Sequence, residues 1–222
     1  YKVYQKIILA CLLLVMTGTV YSQRVTQTIN DGWKFSLFEG DASTADFDIS
    51  GWTDVSIPHT WNAKDADDEI PGYFRGKGWY RKLVTVEELI PEQRVYLSFE
   101  GANQETNVFV NGTFVGNHKG GYSAFTFDVT DYVHAGRNLI AVSVDNSHHP
   151  DIAPLSADFT FFGGIYRDVY LVYTSPVQLS TTHYASSGVY LKASKITDLQ
   201  ANISVKTFLS NALKSNQSLI LE

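Results

Sequence analysis

"TNVFVNGTFVG", residues 106–116, decides the fold. Val108 and Val110 fall on one face of a two-residue alternation, and Asn111-Gly112 follows directly. That dipeptide accepts positive φ at the centre of a tight turn, the strongest short-range signal of a β-hairpin. The same period spreads outward from the hairpin. "RVYLSFEG" (94–101) sets Val95, Leu97 and Phe99 against Tyr96, Ser98 and Glu100. "SAFTFDVT" (123–130) repeats it with Phe125, Phe127 and Val129, "NLIAVSVDN" (138–146) with Ile140, Val142 and Val144, and "DVYLVY" (168–173) with Val169, Leu171 and Tyr173. Each run is a half-buried strand. Nothing between residues 24 and 175 sustains helical spacing for three turns. "DVTDYVHAG" (128–136) allows one short turn, capped by Thr130 or Asp131 and ended by Gly136. Short strands separated by Gly- and Asn-rich turns predict an all-β fold, an antiparallel jelly-roll sandwich with Val108, Val110, Ile140 and Val142 inside.

Composition narrows the function. The 222 residues carry 17 basic and 23 acidic side chains, and no basic run occurs. Nucleic acid and anionic membrane surfaces are thereby excluded as partners. Thirteen Tyr, thirteen Phe and four Trp suit a β protein that stacks against sugar rings. The N-terminus is a separate object. Lys2 and Lys6 precede the apolar run "IILACLLLVM" (7–16), and small residues follow. This is the pattern of a signal peptide over 1–22, cleaved between Ser22 and Gln23; the run is short for a membrane span, and an uncleaved anchor helix is the other reading. Cleavage removes Lys2, Lys6 and Cys11, so the mature chain holds no cysteine. Export to a periplasm, with no membrane attachment afterwards, is the expectation.

Residues 23–175 read as one sandwich domain. Beyond Pro176 a second set of strands begins with "GVYLKAS" (188–194), "ANISVKTFLSN" (201–211) and "QSLILE" (217–222). Three strands do not close a sandwich. Residues 176–222 therefore read as an incomplete immunoglobulin-like domain or as a terminal hairpin packed on the first. The absence of an initiator Met and the ending within a strand suggest a longer protein.

No nucleophile elbow, phosphate loop, dinucleotide fingerprint or cysteine-based metal motif is present, so neither cofactor nor metal is expected. In "SHHPDIAP" (147–154) the adjacent His148 and His149 would face opposite ways if extended, which disfavours joint metal ligation. His149 and Asp151 then either contact solvent and backbone or line a ligand rim. Trp61 in "PHTWN" (58–62) packs as core or lines a pocket. "PGYFRGKGWYRK" (71–82) leaves Arg75 at a loop tip, solvated or turned to a ligand. "SADFTFFGGIYRDVYL" (156–171) places Asp158 before an aromatic run and buckles at Gly163-Gly164, an arrangement built to present something at a sheet edge.

"GWKFSL", "GWTDVSIPHTWN", "GKGWYRK", "SFEGANQETNVFVNGTFVGNHKGGYSAFTFDVTDYV", "NLIAVSVDN" and "FFGGIYRDVYL" stand here in one order. They resemble the N-terminal sugar-binding domain of glycoside hydrolase family 2, as in β-galactosidases and β-glucuronidases, over about residues 30–175. The resemblance implies a jelly roll, then an immunoglobulin-like sandwich, then a (β/α)₈ barrel bearing the two glutamates of a retaining glycosidase. None of that barrel lies in these residues, so the chain holds no catalytic pair and no turnover is expected of it alone. The implied partners are a carbohydrate substrate and the remaining domains, with homo-oligomerisation left open. The family's sugar-contacting acid falls on Asp158, where a charge-assisted bond to hydroxyls would orient the sugar. The competing reading is an Asp capping its own turn. Where family β-galactosidases place an asparagine on a second loop, this chain has Arg75. The departure points away from galactose and towards a different hydroxyl pattern or an acidic sugar, which a guanidinium suits. A stand-alone carbohydrate-binding module is the alternative, and a structural adhesin-like sandwich, which has no use for Asp158, a third.

Overall fold

The computed structural model describes residues 24–65, 67, 69 and 72–220. The expected signal peptide lies outside the described residues. In chain order the strands are β1 (Val25–Thr28), β2 (Trp33–Leu37), β3 (Thr53–Val55), β4 (Lys77–Val86), β5 (Arg94–Phe99), β6 (Glu105–Val110), β7 (Thr113–Lys119), β8 (Phe125–Asp128), β9 (Gly136–Asp145) and β10 (Val169–Thr174). The Asn111-Gly112 hairpin forms between β6 and β7, with positive φ at both residues (51° and 81°) and Val110 opposite Thr113. Six strands make one sheet in the order β3-β2-β4-β9-β6-β7, and four make the other, β1-β10-β5-β8. Every pairing within the two sheets is antiparallel.

The residues read as inward-facing are buried, but β9, expected to be half-buried, is buried on both faces from Asn138 to Val144, because Ala141 packs with Ala42 and Trp79 in a second cluster on the outer face. Val108, Val110, Ile140 and Val142 are at most 1% exposed, and Leu97, Phe99, Val169 and Leu171 meet them from the other sheet. Phe99 stacks on Phe125 with ring centroids 4.8 Å apart. Each such side chain contributes roughly 1.5–3 kcal/mol by leaving water. Trp33 is wholly buried, which requires a partner for its indole; Nε1 donates to the Ile29 carbonyl at 2.7 Å.

The turn at 128–136 differs from the expectation in its cap. Asp128, not Thr130 or Asp131, closes it: Oδ1 accepts the Thr130 amide at 3.0 Å and the Thr130 hydroxyl at 2.6 Å. Thr130 Oγ1 instead accepts the Val95 amide at 2.9 Å, which staples the turn to β5. A carboxylate can accept both donors at once, whereas the Thr130 hydroxyl lies between Val95 and the Asp128 carboxylate.

After the sandwich come β11 (Val177–Leu179), β12 (Val189–Ser194), β13 (Asn202–Thr207) and β14 (Leu209–Asn211), paired β11 with β14 and β12 with β13. Gln178 Nε2 donates to the Tyr96 hydroxyl at 2.6 Å and Arg24 to the Leu179 carbonyl at 2.9 Å, tying this segment to the sandwich. Leu191, Ile203 and Val205 remain exposed. Of the strand expected over 217–222, residues 217–220 form none among the described residues, and 221–222 lie outside them.

Register aligns the functional end. Lys77 pairs with Asp145, Asp145 with Glu105 and Glu105 with Lys119, while Phe99 pairs with both Phe125 and Val169. The connections 100–104, 120–124 and 146–168 and the approach to β4 at 72–76 therefore emerge together, opposite the Asn111-Gly112 turn.

Candidate functional site at the open end of the sandwich

Buried amides build the open end. Asn146 follows β9 and is 0% exposed; Asn62 is 2% exposed. Asn146 Nδ2 donates to the Phe161 carbonyl at 3.0 Å and to the Phe74 carbonyl and Asn62 Oδ1, both at 3.3 Å, while Oδ1 accepts the Gly76 amide at 2.9 Å. Asn62 Nδ2 donates to Phe74 O at 2.8 Å and Asp65 Oδ2 at 2.7 Å, and its Oδ1 accepts the Gly163 amide at 2.6 Å. Asp65 Oδ2 also accepts the Phe74 amide at 2.7 Å. An amide buried without partners would cost about 1–3 kcal/mol, so this saturation is what allows two of them inside. A third, Asn103, exchanges backbone bonds with Gly164 (3.0 and 3.2 Å) and donates from Nδ2 to Phe162 O at 2.8 Å.

These bonds explain the glycines. A β-carbon on Gly163 would lie 2.1 Å from Trp61 Cζ2, and Gly164 has φ of +116° with the His59 carbonyl 2.6 Å from where a β-carbon would be. The glycines thus let the chain lie flat over Trp61, which stacks on Phe35 and packs against the core. Behind them His59 Nδ1 shares a 2.7 Å hydrogen bond with the Tyr80 hydroxyl. Burial holds the His59 imidazole below the ordinary histidine value and pushes the Tyr80 phenol up, so the pair stays neutral.

On this base stand the expected site residues. Asp158 is exposed, and among the described residues no hydrogen bond or ion pair engages it. It caps no turn. Phe159 and Phe162 face outward on either side of buried Phe161. Arg75 is not a solvated tip: its guanidinium lies 5.0 Å from the Phe161 ring centroid and 4.9 Å from that of Tyr73, and Nε donates to the Tyr73 hydroxyl at 2.8 Å. A cation over an aromatic face gains about 0.5–1 kcal/mol at an exposed site, enough to choose one rotamer. The structure thereby joins Arg75 to the loop that carries Asp158. His149 and Asp151 group elsewhere. His149 Nε2 meets Glu105 at 3.0 Å and Nδ1 meets Asp151 at 2.9 Å, with Lys119 3.9 Å from Asp151. The bond from His149 holds the Asp151 carboxyl below its ordinary range. These contacts fasten the 146–151 segment to the β6–β7 edge.

The model described as "Glycosyl hydrolases family 2, sugar binding domain" matches residues 26–176. The chain belongs to glycoside hydrolase family 2. A "Beta-glucuronidase" of Bacteroides fragilis is 37% identical over 203 residues, covering 90% of this chain and 28% of that protein. A "Beta-galactosidase" of Thermoanaerobacter pseudethanolicus is 38% identical over 208 residues, covering 89% and 25%. The solved structure of Bacteroides uniformis beta-glucuronidase 2, covalently bound to cyclophellitol-6-carboxylate aziridine, superimposes with a TM-score of 0.80 at 41% identity, over 85% of this chain and 22% of that one. The chain thus corresponds to the N-terminal domain of family 2 glycosidases and spans about a quarter of their length.

Asn62, Asn103 and Asn146 were not legible as site residues. Asn62 ends "PHTWN" and Asn146 ends "VSVDN", where asparagine reads as a turn former. For Asn62 and Asn146, position at the ends of two motifs that border one site was the only signal, and Asn103, inside a longer motif, had none.

Proposed function

We propose that this chain is the N-terminal region of an exported, retaining exo-glycosidase that removes terminal β-linked uronic acid residues. The observation that carries the reading is Arg75, held over Phe161 on the same loop as the unengaged carboxylate of Asp158. Asp158 would accept bonds from sugar hydroxyls, and Arg75 would place a positive charge beside an acidic sugar. The name of the Bacteroides fragilis relative agrees with a glucuronide. The two catalytic glutamates would stand on a barrel beyond residue 222, with 176–222 opening an immunoglobulin-like domain between. The name of the Thermoanaerobacter relative favours a second reading, a β-galactoside. The two separate on the full-length enzyme assayed with an aryl β-glucuronide and an aryl β-galactoside. The expected kcat/KM ratio favours the glucuronide by at least about tenfold, or about 1.4 kcal/mol, and Arg75→Ala narrows it. A ratio favouring the galactoside overturns the uronide assignment.

Export rests on the Lys2, Lys6 and 7–16 pattern. The mature protein recovered from the cell envelope is expected to begin at Gln23. Retention of residues 1–22 would make the segment an anchor.

A further inference from the structure

Resting on the glycosidase reading, we propose that Asn146, backed by Asn62, is a positioning residue that sets Arg75 and the Asp158 loop as a single unit. Arg75 lies between Phe74 and Gly76, and the carbonyl of the first and the amide of the second both bond the Asn146 carboxamide. The backbone is therefore pinned on both sides of Arg75 by one side chain. The same carboxamide holds the carbonyl of Phe161, three residues after Asp158, whose ring carries the Arg75 guanidinium. Asn62 repeats the bridge one step away, bonding Phe74 on the first loop and Gly163 on the second. Two surface loops are thus tied to each other by the same two buried amides.

The chemistry demanded at position 146 is that of an amide. Three carbonyl-type oxygens and one N–H converge there, so the side chain must donate on one side and accept on the other in a single plane. Aspartate has the same shape and would set an anionic oxygen against three acceptors while keeping the bond from Gly76. It breaks the donor half alone. An amide that served only stability would cost the enzyme equally whatever stood at positions 75 and 158. An amide that positions those two residues matters to turnover only while they are present.

The full-length enzyme decides between them. Asn146→Asp is expected to lower kcat/KM by about tenfold or more on the preferred aryl glycoside, mainly through KM. In the background of Arg75→Ala with Asp158→Asn the same change is expected to cost no more than about twofold, because coupled residues are non-additive. Hydrogen exchange gives a readout independent of activity: segments 72–76 and 158–164 should exchange faster together, with β4 and β9 unchanged. If Asn146→Asp does not fold, Asn146→Ser replaces it, since a hydroxyl cannot span Phe74, Phe161 and Gly76. Equal losses in both backgrounds, or faster exchange in one loop alone, overturn the proposal. Should Arg75→Ala and Asp158→Asn each leave kcat/KM unchanged, the site reading fails, and the joint exchange of the two loops still decides whether Asn146 couples them.

Discussion

Asp158→Asn in the full-length enzyme should lower kcat/KM by about ten- to several-hundred-fold and leave the melting temperature nearly unchanged. The substitution keeps the shape and removes the charge. A hydrogen bond to a charged group contributes about 1.5–3 kcal/mol, or roughly ten- to 150-fold, and hydroxyls left unpaired in a closed site add to the loss. Stability should not follow, because Asp158 is exposed and joins no hydrogen bond or ion pair among the described residues. The carboxylates that do hold structure here are different ones. Asp168 accepts from Asn30 at 2.9 Å and from the Tyr170 hydroxyl at 3.0 Å, and Asp128 pairs with Arg94 at 2.5 Å. Steady-state kinetics and a thermal melt on the same preparation check this. A melting temperature lowered by many degrees with kcat/KM within about twofold would make Asp158 a residue of the fold.

The sandwich was legible because its signal is local. Val108 and Val110 share one face of a two-residue alternation, bounded by Asn107 and Asn111, whatever lies across the sheet, and Asn111-Gly112 names its own turn. Family motifs then placed Asp158 on its loop. What escaped depended on partners distant in the chain. The Gly163 amide bonds Asn62 across 101 positions and the Gly76 amide bonds Asn146 across 70. Neither asparagine differs in sequence from one that turns a solvated loop. Arg75 read as a loop tip for the same reason, since Phe161, the ring that holds it, lies in another motif. The cap at Asp128 shows the effect at short range: the Thr130 hydroxyl lies between Val95 on β5 and the Asp128 carboxylate.

Gly163→Ala should destabilise the domain by about 1–3 kcal/mol, the usual cost of an added methyl in a packed interior, and lower kcat/KM with it. The added carbon would sit 2.1 Å from Trp61 Cζ2, 2.4 Å from Cε2 and 2.8 Å from Asn146 Cγ. None of these can yield. Trp61 stacks on Phe35 with centroids 5.8 Å apart, and a β-carbon on Gly78 would come within 2.8 Å of its opposite edge, so the indole is held between two backbones. Asn146 is fixed by four hydrogen bonds. The loop itself must rise, which stretches the 2.6 Å bond from the Gly163 amide to Asn62 and moves Asp158 with it. Gly164→Ala is harsher in kind, because its φ of +116° strains any side chain whatever the space. The clash at Gly163 is steric, so it has a remedy: Gly163→Ala combined with Trp61→Phe should recover part of both stability and kcat/KM, since the smaller ring withdraws the atoms that collide. Denaturant melts and kinetics on the two single variants and the double variant measure this. A Gly163→Ala protein as stable and active as the parent would mean that the loop does not lie on Trp61 in the working enzyme.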